Sequence, residues 1–397
     1  MKNTILYVSF DVVPAPKGAA THIRHFVCAL AEAYENVTLV TVSPSEDIEE
    51  GESFGSTIKH FRLPALGPDL IARVAHFRRL LINFLNGKYF DIIHFRSPFE
   101  GYWLAAEKAR FCRFMVFEVN GLPSIELKYR YPMVADDTVL LNKLLAQEQT
   151  CLDKADLVIT PSSVTASFLQ SRQVGPERLR VIANGVDLTT FTYRESLEMK
   201  VDEPLELLYF GTLSAWQGVE QAVRALALTN RDREARLTMV GGGRPKQLHT
   251  LMELAQELDV AAKVSLPGPL PQEQLAIIMH KSHIILAPLT ANDRNITQGC
   301  CPLKILEGMA SGTPVVASDL AVTRELGAEC LFLAKAGSSK SLKDVVLAMS
   351  TDQDLCRIKA KQAREHVERH HTWELVGQKL VAAYGDMLAK DTISSAN

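Results

Sequence analysis

The chain has 397 residues, 47% of them hydrophobic, and a formal net charge of −3. That length exceeds the roughly 250–300 residues a single core sustains, so two domains are expected. The charge balance gives no electrostatic footprint for nucleic acid. The seven scattered cysteines lack metal-type spacing and suit a reducing cytosol, and no run reaches the roughly 18–20 apolar residues of a membrane span.

From the N-terminus, "ILYVSF" reads as a first strand, too short for a signal peptide. A helical pattern follows from Thr21 to Glu35, then the strand-like "NVTLVTVS". The segment Leu70–Phe90 is apolar but carries Arg73, Arg78, Arg79 and Lys88. It suits peripheral contact with an anionic membrane, although a packed helix with a solvated basic edge is the favoured reading. Asp91–Ser97, Arg113–Gly121 and Asp156–Ser163 are further short apolar runs, and "RLRVIANGVDLTTF" closes the first half. After the polar stretch Thr192–Pro204 the alternation restarts with "LELLYFGTL", "RLTMVGGG", "KVSLPG", "HIILAPL", "TPVVAS" and "CLFLAK". Helical patterns run from Leu342 to Lys390, before a frayed tail. Unbroken Val/Ile/Leu runs indicate strands buried on both faces, and their alternation with helices indicates α/β domains with doubly wound sheets. The expectation is two Rossmann-like domains facing across a cleft, over residues 1–192 and 193–372, with a closing helix over 373–397. Ligands of such sheets bind beyond the carboxyl ends of the strands.

The residues just after the strands therefore matter most. In "CCPLKILEGMASGTPVVAS", Pro302 suits the first position of a helix and Gly312 the position past its end, which predicts a helix over Pro302–Ser311. Its first turn offers free N–H groups to a phosphate, and Lys304 adds a positive charge. Glu307 could accept two hydrogen bonds from a ribose diol. The bland alternative is a surface Lys–Glu pair. Gly211, in "FGTLSAWQGVE", opens a strand–turn–helix junction, and Gly242 lies in the glycine run after another strand. Gly18 joins the first strand to the first helix without a dinucleotide or ATPase fingerprint. Glu118 and Asn120 end one strand, and Arg96 and Ser97 end its neighbour, as candidate substrate contacts; His94 reads as a buried, satisfied histidine. Asp352 and Asp354 imitate a metal motif but sit where a helix cap is expected. His370–His371 is a weak metal signal with no partner nearby in the chain.

Taken together, "PKGAATHIRHFVCALAE", "ADLVITPSS", "VIANGVDLTTF", "KILEGMASGTPVVAS" and "HTWELVGQKLVAAYGDML" resemble retaining glycosyltransferases of family 4, with the GT-B fold, almost end to end. The resemblance implies that Glu307 binds the ribose hydroxyls of a sugar nucleotide. It implies that the backbone at Pro302 and Leu303 and the side chain of Lys304 meet the diphosphate, with Cys301 also in the donor site, that the backbone around Pro269 and Leu270 seats the base, and that Gly18 and Ala19 approach the transferred sugar or phosphate. The closing helix is expected to pack back on the first domain. Many members carry a glutamate where this chain has Gly299, and Arg and Lys where it has Thr212 and Gln217. Lys304 with Arg294 is expected to replace that charge, and Asn120 to stand where others place a histidine.

The implied reaction is transfer of a hexose, glucose as first choice, from a UDP-sugar to a hydroxyl acceptor with retention. Lys304, Asn120 and Glu118 are the catalytic candidates, and Glu118 the one candidate base. GDP-mannose is the runner-up donor. The acceptor is expected to be a saccharide or lipid-linked saccharide of an envelope polysaccharide or glycolipid. No cofactor or metal is expected, and the location is cytoplasmic or peripheral at the inner membrane face. Two alternatives are a nucleotide-sugar epimerase of the same fold and a non-catalytic nucleotide-sugar binder.

Overall fold

A computed structural model describes residues 3–52, 54 and 58–394. Internal contacts divide the chain into two compact units. One takes in residues up to Ala183 together with the segment from Glu374 onward, and the other is Asn184–Trp373.

The first unit carries an eight-stranded sheet among the described residues. In chain order its strands are β1 (Thr4–Val12), β2 (Asn36–Val42), β3 (Glu49–Glu52), β4 (Ile58–Leu63), β5 (Phe90–Phe95), β6 (Cys112–Glu118), β7 (Leu157–Thr160) and β8 (Leu179–Val181). Their spatial order is β3-β4-β2-β1-β5-β6-β7-β8. All neighbours pair in parallel except β3 with β4. The predicted strands at β1, β2, β5, β6 and β7 all form. The β3–β4 hairpin and β8 were not anticipated, because β3 is the acidic sequence Glu-Glu-Gly-Glu and β8 has three residues. A short, charged edge strand is one way a sheet avoids pairing with another chain. The core is aliphatic and aromatic, with Leu6, Val40, Phe77, Ile93, Phe95, Met115 and Phe117 buried. The helix Gly18–Ala33 turns Ala20, Ile23, Phe26, Val27 and Leu30 inward at three- and four-residue spacing. The helix Trp373–Ser394 also joins this unit, and its Tyr384 hydroxyl lies 2.6 Å from His94 Nδ1.

The second unit has six strands among the described residues: β9 (Leu205–Phe210), β10 (Ala235–Val240), β11 (Val264–Gly268), β12 (Ile284–Ala287), β13 (Val315–Ser318) and β14 (Phe332–Ala334). They are parallel throughout, in the order β11-β10-β9-β12-β13-β14. The order reverses between β9 and β12, which opens a crevice beyond their carboxyl ends. Three helices close this region of sequence, Ser339–Thr351, Gln353–His370 and Trp373–Ser394. Asp352 caps the second of them by accepting from Leu355 N, as its capping reading anticipated.

Candidate functional site

In the second unit, the β9–β12 switch point gathers most of the predicted donor residues. The chain leaves β9 at Gly211, whose φ of +120° suits glycine. Gly241 takes φ +149° beside it, and a Cβ there would stand 1.9 Å from Gly211 O. The two loops pack backbone on backbone, and Leu213 N donates to Gly242 O. Thr212 is exposed, and its carbonyl accepts from the Tyr209 hydroxyl at 2.7 Å. Gln217 ends a short turn before Gly218, whose φ is +75° and whose added Cβ would meet Pro288 O at 1.7 Å. The loops after β9 and β12 therefore touch at the switch point.

The helix predicted from Pro302 begins at Leu303 and ends at Ser311, with Gly312 in the left-handed conformation at φ +81°. Pro302 takes the capping position just outside, with ψ 110°, so the correction is one residue. Every residue from Lys304 to Ser311 is buried, which rules out a surface Lys–Glu pair. Lys304 Nζ donates to Gln217 Oε1 at 2.7 Å and stands 4.1 Å from the centre of the Tyr209 ring. A Cβ on Gly211 would lie 3.4 Å from that ammonium. Burial pulls the Lys304 ammonium down to about 7, against the opposing pull of Glu307. Burial pushes the Glu307 carboxyl up to about 7, against Lys304 and a hydrogen bond from Gln272. An ammonium and a carboxyl are thus held at the brink of charge beside a glycine loop, as perturbed groups in ligand sites often are.

The approach to this helix is irregular. Arg294–Gln298 forms a π-type turn, and Gly299 follows at φ +83° and ψ 169°, a conformation suited to glycine. The Arg294 guanidinium stacks 4.2 Å from the Trp216 ring centre. Cys301 is fixed by Asn184, whose side chain donates to Cys301 O at 2.7 Å and whose N–H donates to Sγ at 3.3 Å. Pro269 is exposed and Leu270 half-buried in the turn after β11.

In the first unit, Glu118 anchors a buried polar cluster at the carboxyl end of β6. One carboxylate oxygen accepts from Arg96 Nε at 2.9 Å and from Asn120, and lies 2.9 Å from His22 Nε2. The other accepts from the Tyr7 hydroxyl at 2.7 Å and lies 3.0 Å from His94 Nε2. Burial alone would raise this carboxyl, but His22, Arg96 and the hydrogen bonds hold it well below the usual range. Arg96 also reaches Asp11 at 2.9 Å. Ser97 caps the helix Pro98–Ala106 in a capping box with Glu100. Gly18 and Ala19 form the first turn of the helix Gly18–Ala33, which has no side-chain cap.

The sequence reading missed Tyr209, Trp216, Gln272 and His22. Tyr209 and Trp216 lie in the run LELLYFGTLSAWQGVE with nothing in its pattern to mark them. His22 carried no signal, because its partner Glu118 lies 96 positions away in the chain.

Known proteins resemble this chain along most of its length. Residues 16–190 match the family described as Glycosyltransferase Family 4, and residues 192–366 match Glycosyl transferases group 1. The D-inositol 3-phosphate glycosyltransferase of Corynebacterium diphtheriae is 27% identical over 264 residues, 62% of this chain and 59% of that protein. The putative colanic acid biosynthesis glycosyltransferase WcaL of Escherichia coli K12 is 26% identical over 248 residues, 61% of this chain and 60% of that protein. The chain thus spans about 60% of the length of these curated relatives. Among solved structures, sucrose-phosphate synthase from Thermosynechococcus elongatus superposes with a TM-score of 0.79 at 22% identity, covering 98% of this chain and 100% of that one. HepE of Anabaena, solved with UDP and glucose, gives 0.73 at 15% identity over 96% and 99%. At such identities the likeness shows the fold, two Rossmann-like α/β domains of the GT-B type.

Proposed function

From the premise that this chain is a GT-B glycosyltransferase of the family 4 and group 1 kind, we propose that it moves a hexose, glucose as first choice, from UDP-sugar to a hydroxyl acceptor with retention of configuration. The observation that carries this is the buried Lys304–Glu307 pair at the head of its helix, beside Gly211. A free helix N-terminus and an ammonium suit a diphosphate, and a carboxylate one turn on suits a vicinal diol. The HepE structures, solved with UDP and with UDP-glucose, support the choice of nucleotide. The names of the relatives support an acceptor in polysaccharide or glycolipid synthesis.

In this reading, breaking the sugar–phosphate bond builds charge on the leaving diphosphate. Lys304, the N–H groups from Leu303 onward and Arg294 meet that charge, a preorganised electrostatic contribution that is often the largest single one in catalysis. No metal step is assigned. Pro269 and Leu270 face the base, and Gly242 leaves room for the ligand, since a Cβ there would meet nothing within 4 Å. Gly299 stands where a glutamate is common in the family, and its backbone conformation goes with glycine. Asn120 and Arg96 are offered to the sugar or acceptor. Glu118 orients them and does not act as the base, because both of its oxygens are already engaged. The acceptor proton passes to the leaving phosphate oxygen. A cytoplasmic enzyme working beside a membrane fits a lipid-linked acceptor; Ile71 is 68% exposed on the helix Leu70–Leu85, which also carries the exposed Arg79.

Titration calorimetry with UDP and with GDP, on the native chain and on Glu307→Ala, tests the proposal. Micromolar binding of UDP, lost in the variant, is expected. Preference for GDP overturns the donor assignment, and UDP binding unchanged in the variant overturns the site.

A further inference from the structure

The second unit holds a cluster that the transfer reaction does not use. Glu329 and Cys330 close a short turn before β14, and His366 lies in the last turns of the helix Gln353–His370. A carboxylate oxygen, the thiol sulfur and a ring nitrogen from these three all lie within 4.8 Å of one another. His366 Nδ1 is 3.7 Å and Cys330 Sγ 3.9 Å from Glu329 Oε1. Tetrahedral zinc with bonds of about 2.0–2.3 Å needs ligand–ligand distances of roughly 3.3–3.6 Å. A contraction of a few tenths of an ångström therefore brings these two edges onto the metal.

We propose that Glu329, Cys330 and His366 form a binding site for a zinc-class divalent cation, with His370 as fourth ligand. His370 stands one helical turn beyond His366, with ring centres 4.9 Å apart, the i,i+4 spacing that places two imidazoles on one helix face. Thiolate, imidazole and carboxylate together favour zinc or cobalt over magnesium or calcium. The imidazole is held in place, its ring lying against Gly327, where φ is +107° and a Cβ would stand 3.2 Å from Nε2. The Cys330 thiol is buried, and a cation bound there takes the place of its proton, which leaves to solvent. Lys359 on that helix is turned to the carbonyls of Glu329 and Leu331, and Arg369 lies close enough to act on His366. Glu329 is exposed and leaves an entry path.

The same helix end reaches the donor residues. His371 Nδ1 lies 3.3 Å from Asn184 O, and Asn184 holds Cys301. In sequence, His370–His371 stood without a partner; the fold supplies Glu329 and Cys330 from some forty positions away.

Cobalt titration of the metal-stripped full chain tests the site, read by the thiolate-to-cobalt charge-transfer absorption. One equivalent, with a rise in melting temperature, is expected, and zinc should displace it. Cys330→Ser should abolish the band. His366→Gln should weaken binding by more than the roughly 10–100-fold typical of even an outer-shell change. Melting each metal-free variant separates loss of ligand from loss of fold, and His366→Gln decides the matter if Cys330→Ser does not fold. No saturable band, a band that survives Cys330→Ser, or unchanged affinity in a folded His366→Gln overturns the proposal.

Discussion

Replacing Lys304 by methionine tests the electrostatic core of the donor site with little change of shape. In the free protein the ammonium is buried against Tyr209 and Gln217 and titrates at about 7. At about pH 7.5, charging it costs less than about 1 kcal/mol. Against a diphosphate oxygen at about 4 Å, with an effective dielectric near 20, the charged form gains about 4 kcal/mol. The difference, about 3 kcal/mol, corresponds to a roughly 100-fold loss of UDP affinity in Lys304→Met. The proton balance gives a second, independent reading. The diphosphate raises Lys304 from about 7, so the native protein takes up a large fraction of a proton there. Ribose hydroxyls lower Glu307 from about 7, which releases a smaller fraction. The native chain therefore takes up roughly half a proton net at about pH 7.5. Lys304→Met, left with Glu307 alone, releases protons instead. Affinity of the native protein falls as pH rises above about 7, where free Lys304 loses its charge. Calorimetry in two buffers of different ionisation enthalpy measures affinity and proton count together, and comparing the two proteins cancels the nucleotide's own titration. UDP affinity within about threefold of native, or the same sign of proton exchange in both proteins, refutes the reasoning.

Glu118→Gln should destabilise the first unit by up to about 3–5 kcal/mol, because it leaves the buried Arg96 with only the half-exposed carboxylate of Asp11. The native carboxyl sits below its ordinary 4.5, so its contribution is complete above that pH and fades as pH falls toward the depressed value. Urea melts from pH 7 down to about 3 should show an acid-dependent loss in the native chain that the variant lacks, and equal slopes in the two would refute it. Gly218→Ala should cost at least about 3 kcal/mol, from the left-handed backbone and a Cβ set against Pro288 O. It should also weaken UDP binding by displacing Gln217; a variant that melts and binds as the native chain does would show that the β9 and β12 loops do not depend on this contact.

The sequence by itself determined the α/β class, most of the strands and the places where ligand groups should gather. Continuous runs such as Ile92–Ile93 and Val315–Val316 can only be buried on both faces, and glycines at 211 and 312 mark turns that other residues resist. What it left open were contacts between distant positions. Lys304 and Glu307 have the same spacing whether they form a solvated pair or a buried one. Packing decided for burial, in part through Arg364, which donates to Ala310 O at 3.0 Å and holds the neighbouring helix against theirs. Glu118 stood as a possible base, but the packed unit brings Tyr7, His22, His94, Arg96 and Asn120 around it from two strands, a helix and two loops. His366 gained Glu329 and Cys330 in the same way. Local pattern fixes which residues can be inside, because helix and strand periods act over a few positions. Which charged groups meet there depends on how β-strands order in a sheet, and that is settled only when the whole unit packs.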